Sequence, residues 1–322
     1  MKDFEKQLVI RVAETPLTEE SLAGLSDLEE LHINGVYDDA VTLPASFFEL
    51  TQLKKLCLSN IRLPEMPDLS QFHRLQHISF FDLGTPDLEN TRLSPECSLL
   101  ELDIRRNGLT ALPSWLARHP RLEELDAGGQ RLTTEGLEPL RELRALRDVS
   151  FYDAGLPALP DFVAEWKQLE RIVVSGCAFE TFPPELVGLT QIRRLELGFN
   201  MLDGFPDAVL AFGNLEHLDL AGNDEVEVIP EALGELAQLR DLLLSSTSVE
   251  SLPSSLARLS KLEYLSLEET PIAGEDPDNR LGDAIVAAIQ GFGDESMEAR
   301  VEALEKVISE HDPDAEPEDD ED

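Results

Sequence analysis

Residues 192–215 read IRRLELGFNMLDGFPDAVLAFGNL, and this stretch decides the fold. Ile192, Leu195 and Leu197 open it with the short alternation of a strand, one face apolar and the other not. Asn200 and Leu202 follow, and then Phe205-Pro206, Val209 and Phe212 advance three or four residues at a time, as a helical turn does. The next copy begins 23 residues later with LEHLDLAGN at 215–223 and VIPEALGELAQ at 228–238. Self-similarity at this period is the mark of a solenoid, whose units cannot bury an apolar stripe alone and must stack to do so.

Working outward, the first leucines of successive LxxLxL strands are Leu28, Leu53, Leu75, Leu99, Leu122, Leu146, Leu169, Ile192, Leu215, Leu239 and Leu262, spaced 22 to 25 residues apart. A further strand, Gln7 to Val12, lies in phase ahead of them with Leu8 and Ile10 inward. Numbering each first leucine as position 1, positions 1, 4 and 6 are apolar in nearly every copy. The fuller pattern LxxLxLxxNxLxxLPxxLxxL recurs best at Leu99–Leu116, Ile192–Phe212, Leu215–Leu236 and Leu239–Leu259.

From about Gln7 to Thr270 the chain resembles a leucine-rich repeat protein. The LPxxLxxL ending is similar to the cytoplasmic repeats of Ras-suppressor, scribble and plant Ras-group proteins and of many bacterial repeat proteins. The resemblance implies an α/β fold: a curved right-handed solenoid with a concave parallel sheet and short helices or turns on the convex side. It also implies that position 9 (Asn107, Asn200 and Asn223, with Cys177, Thr247 and Thr270 in equivalent places) turns inward to bond open backbone groups. Val36, Ile61, Leu83, Gln130 and Ala154 break that pattern, so looser N-terminal turns are expected.

Prolines 44, 113, 160, 183, 206, 230 and 253 are expected at the first position of short helices, where a missing N–H costs nothing. Thr133–Leu143 departs from that form and predicts a fuller helix, and Leu83–Pro95 predicts an irregular loop. The domain reading is a solenoid over 1–270, a helical cap over 271–311 and a disordered acidic tail over 312–322. In the cap, Arg280–Gln290 and Ser296–His311 are the expected helices. Leu281, Ile285, Val286, Ile289, Val301, Leu304, Val307 and Ile308 are expected to cover the end of the stack.

Composition narrows the function. The chain has 65 acidic and 26 basic residues, a formal net charge of -39, which repels nucleic acid and anionic membrane surfaces and suits a basic protein or peptide, besides keeping the chain soluble. Cys57, Cys97 and Cys177 form no clustered disulfide framework, the first residues carry charges throughout, and no apolar run nears membrane-spanning length, so a cytoplasmic location is expected. No phosphate-binding glycine loop, GxSxG, HExxH or CxxC pair occurs, and His32, His77 and His217 fall in distant repeats. No catalytic residue, metal or cofactor is expected.

A binding face is easier to read. Strand positions 3, 5, 7 and 8 point away from the core, and aromatic and arginine side chains there are the types enriched in binding hot spots. Phe81, Arg105, Arg106, Tyr152 and Phe199, with the carboxylates Asp103, Asp126, Glu196 and Asp219, are the candidate partner-binding residues, and Gly128 with Gly129 is expected to leave a hollow among them. The expected function is a non-catalytic protein-interaction module that holds a basic protein or peptide on its concave face. The alternatives are the substrate-recognition part of a bacterial effector or ubiquitin-ligase-like system, and a regulator or immunity protein masking a basic partner. Nothing in the sequence fixes the oligomeric state.

Overall fold

The computed structural model describes residues 6–14, 16–36, 40–84, 87–274, 276–293 and 295–311, so the acidic tail expected at 312–322 lies outside the described residues. The chain divides into two compact units, Met1–Leu169 and Glu170–Asp322.

In the first unit the parallel strands β1 (Gln7–Arg11), β2 (Glu30–Asn34), β3 (Lys55–Ser59), β5 (His77–Phe81), β7 (Glu101–Asp103), β8 (Glu124–Asp126) and β9 (Asp148–Ser150) pair in that order. Register is one repeat per strand: Leu31 meets Leu56, Leu56 meets Ile78, Ile78 meets Leu102 and Leu102 meets Leu125. These side chains are buried, and each fully buried leucine contributes roughly 1.5–3 kcal/mol of transfer free energy. In the second unit β10 (Arg171–Val173), β11 (Arg194–Glu196), β12 (His217–Asp219), β13 (Asp241–Leu243) and β14 (Tyr264–Ser266) continue the pattern, with Ile172, Leu195, Leu218, Leu242 and Leu265 in register.

The chain returns to the next strand through short 3-10 turns, such as Ser114–Arg118 and Ser254–Arg258. The prolines stand one residue earlier than expected, at the N-cap. Their carbonyls accept the first turn bond, Pro113 from Leu116 at 3.1 Å and Pro253 from Leu256 at 3.1 Å. The fuller helix expected over Thr133–Leu143 is absent: Glu135–Leu140 is a 3-10 turn with Pro139 inside it, and a proline interior to a helix supplies no donor. The irregular loop expected at Leu83–Pro95 is partly ordered. Leu88–Asn90 forms a 3-10 turn, and β6 (Arg92–Leu93) pairs in parallel with β4 (Asp68–Leu69); residues 85 and 86 lie outside the described residues.

Bending the chain out of each strand opens backbone groups that side chains close. Asn223, fully buried, donates to Leu220 O (2.9 Å) and Leu197 O (3.1 Å) and accepts from Leu202 N–H (3.2 Å). Asn200 and Asn107 bond in the same way. Gln130, expected to break the pattern, fulfils it: its longer amide donates to Ile104 O (2.6 Å) and accepts from Leu109 N–H (2.8 Å). Ile61, Leu83 and Ala154 are simply buried as apolar residues, whereas Val36 is exposed.

After β14 an amide that the periodicity does not announce covers the edge of the last strand. Asn279, in the left-handed region at φ 55°, donates to Leu265 O (2.6 Å) and accepts from Leu267 N–H (2.9 Å), closing backbone groups that a further strand beside β14 would otherwise meet. Helix α2 (Arg280–Gly291) follows and buries Leu281, Ile285, Val286 and Ile289. Helix α3 (Met297–Glu310) packs on α2 and on the turn at Ser254–Arg258. Of its expected covering residues only Leu304 is fully buried, and Val301, Val307 and Ile308 are half-buried.

Candidate functional site

The sheet face opposite the 3-10 turns carries positions 3, 5 and 7, because side chains alternate along a strand. In the first unit three adjoining strands place Glu101, Glu124 and Asp148 directly opposite one another, and two residues on, Asp103, Asp126 and Ser150. The position-3 acids were not among the candidates from sequence. The period of two that singles out Asp103 and Asp126 marks Glu101 and Glu124 equally. Like charges in direct register are unfavourable. Burial raises the Glu124 carboxyl above its ordinary value, and Glu101 and Asp148 push it further. His77 Nδ1 lies 2.6 Å from Glu101 at the end of this row.

The candidates in this unit fall together around Arg105. Its guanidinium bonds Asp103 from Nε (3.0 Å) and Nη2 (2.9 Å) and reaches Asp126 at 3.3 Å. Burial alone would raise Asp103, but the Arg105 hydrogen bonds outweigh it and hold the carboxyl below its usual range. Asp126, with the weaker hold on Arg105, is raised by burial. The Arg105 and Arg106 guanidinium carbons stand 5.1 and 6.0 Å from the centre of the Phe81 ring, within cation–π range. Tyr152 is more than half exposed.

Position 8 is left-handed in every repeat from Asn60 onward, glycine or not, including Asp82 (φ 51°), Arg106 (φ 58°) and Phe199 (φ 53°). That conformation keeps the side chain at the rim instead of turning it into the core. The hollow expected at Gly128 and Gly129 is therefore occupied: a Cβ on Gly129 would stand 2.9 Å from Arg106 Cγ, and one on Gly128 would stand 2.8 Å from the Tyr152 carbonyl.

In the second unit Glu196 accepts from Arg194 (2.6 Å) and Arg171 (3.3 Å), and its side chain is mostly covered. Asp219 accepts from the Ala221 N–H (2.9 Å) and is raised by burial and, beyond that, by Glu196. Phe199, 62% exposed, lies over Gly222, where a Cβ would come 2.5 Å from its ring. Met201 beside it is also exposed. Among the described residues no cluster of three or more His, Cys, Asp or Glu side chains is arranged to hold a metal, and no helix is long and apolar enough to cross a membrane.

With the geometry in place, comparison with known proteins gives the class. The Leucine Rich Repeat family profile matches residues 214–236. The volume-regulated anion channel subunit LRRC8E of Homo sapiens is 27% identical over 178 residues, 53% of this chain but 22% of that protein. A PHLPP-like protein phosphatase of Drosophila melanogaster is 28% identical over 152 residues and is matched over 16% of its length. Among solved structures, a leucine-rich repeat protein of Leptospira interrogans superposes with a TM-score of 0.57 at 22% identity, over 76% of this chain and 74% of that one. The chain thus spans about a fifth of the curated relatives it matches, and what is shared with them is the repeat. The chain is built on the leucine-rich repeat fold, which generally serves protein–protein interaction.

Proposed function

We propose that the chain is a non-catalytic interaction module that holds a protein partner by a basic segment laid on the strand face of the first unit. The observation that carries this is the row Glu101–Glu124–Asp148, where register sets carboxylates side by side and burial, with Glu101 and Asp148 beyond it, raises Glu124. A lysine or arginine brought against it relieves the repulsion and gains charge-assisted hydrogen bonds. Asp103 and Asp126 extend the same acidic surface, although Arg105 already neutralises part of it. In the second unit two arginines hold Glu196, so Phe199 and Asp219 are the residues left to contact a partner there.

The test is affinity capture from native lysate with wild type and the Glu101→Lys/Glu124→Lys variant. A protein with a basic segment, retained by wild type and lost from a variant of unchanged thermal unfolding, is the expected result. Capture of the same set by both would refute the reading.

A further inference from the structure

Among the described residues, Arg106 is the arginine of the acidic face that no carboxylate holds. Arg105 beside it is clamped by Asp103 and Asp126, and in the second unit Arg171 and Arg194 both hold Glu196. Among the described residues no carboxylate pairs with Arg106, although the chain carries 65 acids. Its backbone is held left-handed at φ 58°, its stem lies on Gly129, and its guanidinium rests toward the Phe81 ring. This guanidinium is exposed, stands beside one face of Phe81 and is held by no carboxylate among the described residues, so its N–H groups can receive one bidentately.

We infer that Arg106, laid between Phe81 and Gly129, receives an acidic side chain of the same partner, so that the bound segment is of mixed charge and not uniformly basic. The inference rests on the reading proposed above and adds its specificity. Position 3 and position 8 are five residues apart, and because the strand ends at position 5 and the chain then bends, the partner's acidic group lies within about 16 Å of the basic group over Glu101 and Glu124. A uniformly basic segment long enough to reach the rim would place a cation on Arg106 and be rejected, which is how a strongly acidic surface discriminates among many basic proteins.

The test is selection of a phage-displayed random 12-mer peptide library on the full chain, as wild type, Arg106→Gln and Glu101→Gln/Glu124→Gln. Glutamine keeps most of the stem over Gly129, and thermal unfolding of each variant is the control. Wild type is expected to enrich peptides with lysine or arginine and, at fixed spacing, aspartate or glutamate. The Arg106→Gln selection keeps the basic positions and loses the acidic one. By fluorescence anisotropy the best wild-type peptide binds Arg106→Gln about tenfold more weakly, and changing its acid to the amide costs nothing further in that variant. Basic enrichment with no acidic position, or an acidic position that survives Arg106→Gln, overturns this inference and leaves the basic-segment reading standing. Absence of basic enrichment from wild type, or its persistence in Glu101→Gln/Glu124→Gln, overturns both.

Discussion

The residues that hold this chain in shape are those that close the backbone at each bend. Asn223 is fully buried and satisfies Leu220 O, Leu197 O and Leu202 N–H at once, whereas Thr247 in the equivalent place bonds only Leu244 O. An unsatisfied buried group costs about 1–3 kcal/mol, so Asn223→Ala is expected to lose about 3 kcal/mol and Thr247→Ala about 1, read from denaturant unfolding midpoints. Equal losses would mean that the amide's reach into the neighbouring repeat is worth nothing. The left-handed position 8 is the complementary case. Arg106 and Phe199 accept a conformation that glycine adopts without penalty, and each lies over a glycine of the following repeat, Gly129 and Gly222. The conformation belongs to the bend of the repeat, since Asn60, Asp82, Asp153, Ser246 and Glu269 adopt it as well.

At the scale of strands and turns, consecutive elements are tied by acids that reach forward. Glu19 of α1 (Glu19–Leu22) accepts the N–H groups of Ala45 and Ser46, and Glu231 those of Ser254 and Ser255, each opening the next 3-10 turn. Ahead of the strands, Glu29 bonds Lys54 and Lys6, which hold its carboxyl down to about 2. That stability is present above the ordinary carboxylate range and is lost as pH falls toward 2. Glu124 has the opposite sign. Its raised carboxyl makes the native state bind a proton more readily than the unfolded chain, so it costs stability at neutral pH and nothing once pH drops below the ordinary value. Glu124→Gln is therefore expected to raise the melting temperature at pH 7, with a gain of a few tenths of a kcal/mol that vanishes near pH 4, while partner binding weakens. A gain that persists at pH 4 would trace to packing instead. The strand alternation and the proline spacing were legible in the sequence because each follows from a fixed period. Gln130 and Asn279 were not, since what qualifies them is side-chain reach into a neighbouring strand, and the engagement of Arg105 or Glu196 depends on which charges register brings face to face.

At the scale of the whole molecule the net charge of -39 sets two effects of salt against each other. Ion pairs between successive repeats, such as Arg193–Glu216 and Arg258–Glu235 at 2.8 Å, weaken as salt screens them, which lowers stability. They are surface pairs, however, and each is worth at most about 1 kcal/mol. The excess of like charge repels over many more pairs, and screening that repulsion favours the compact state. The second effect should win because acids outnumber bases by 65 to 26, so most carboxylates have no cation to lose. Raising NaCl from about 20 mM, where the screening length is about 20 Å, to about 500 mM, where it is about 4 Å, is expected to lift the melting temperature by a few degrees. Over the same range, association with a basic segment should weaken and its on-rate fall, because steering by the acidic face is screened. Calorimetry and stopped-flow binding on one salt series separate the two. A melting temperature that falls with salt would assign the dominant role to the ion-pair ladder, and an on-rate indifferent to salt would remove the acidic face from recognition.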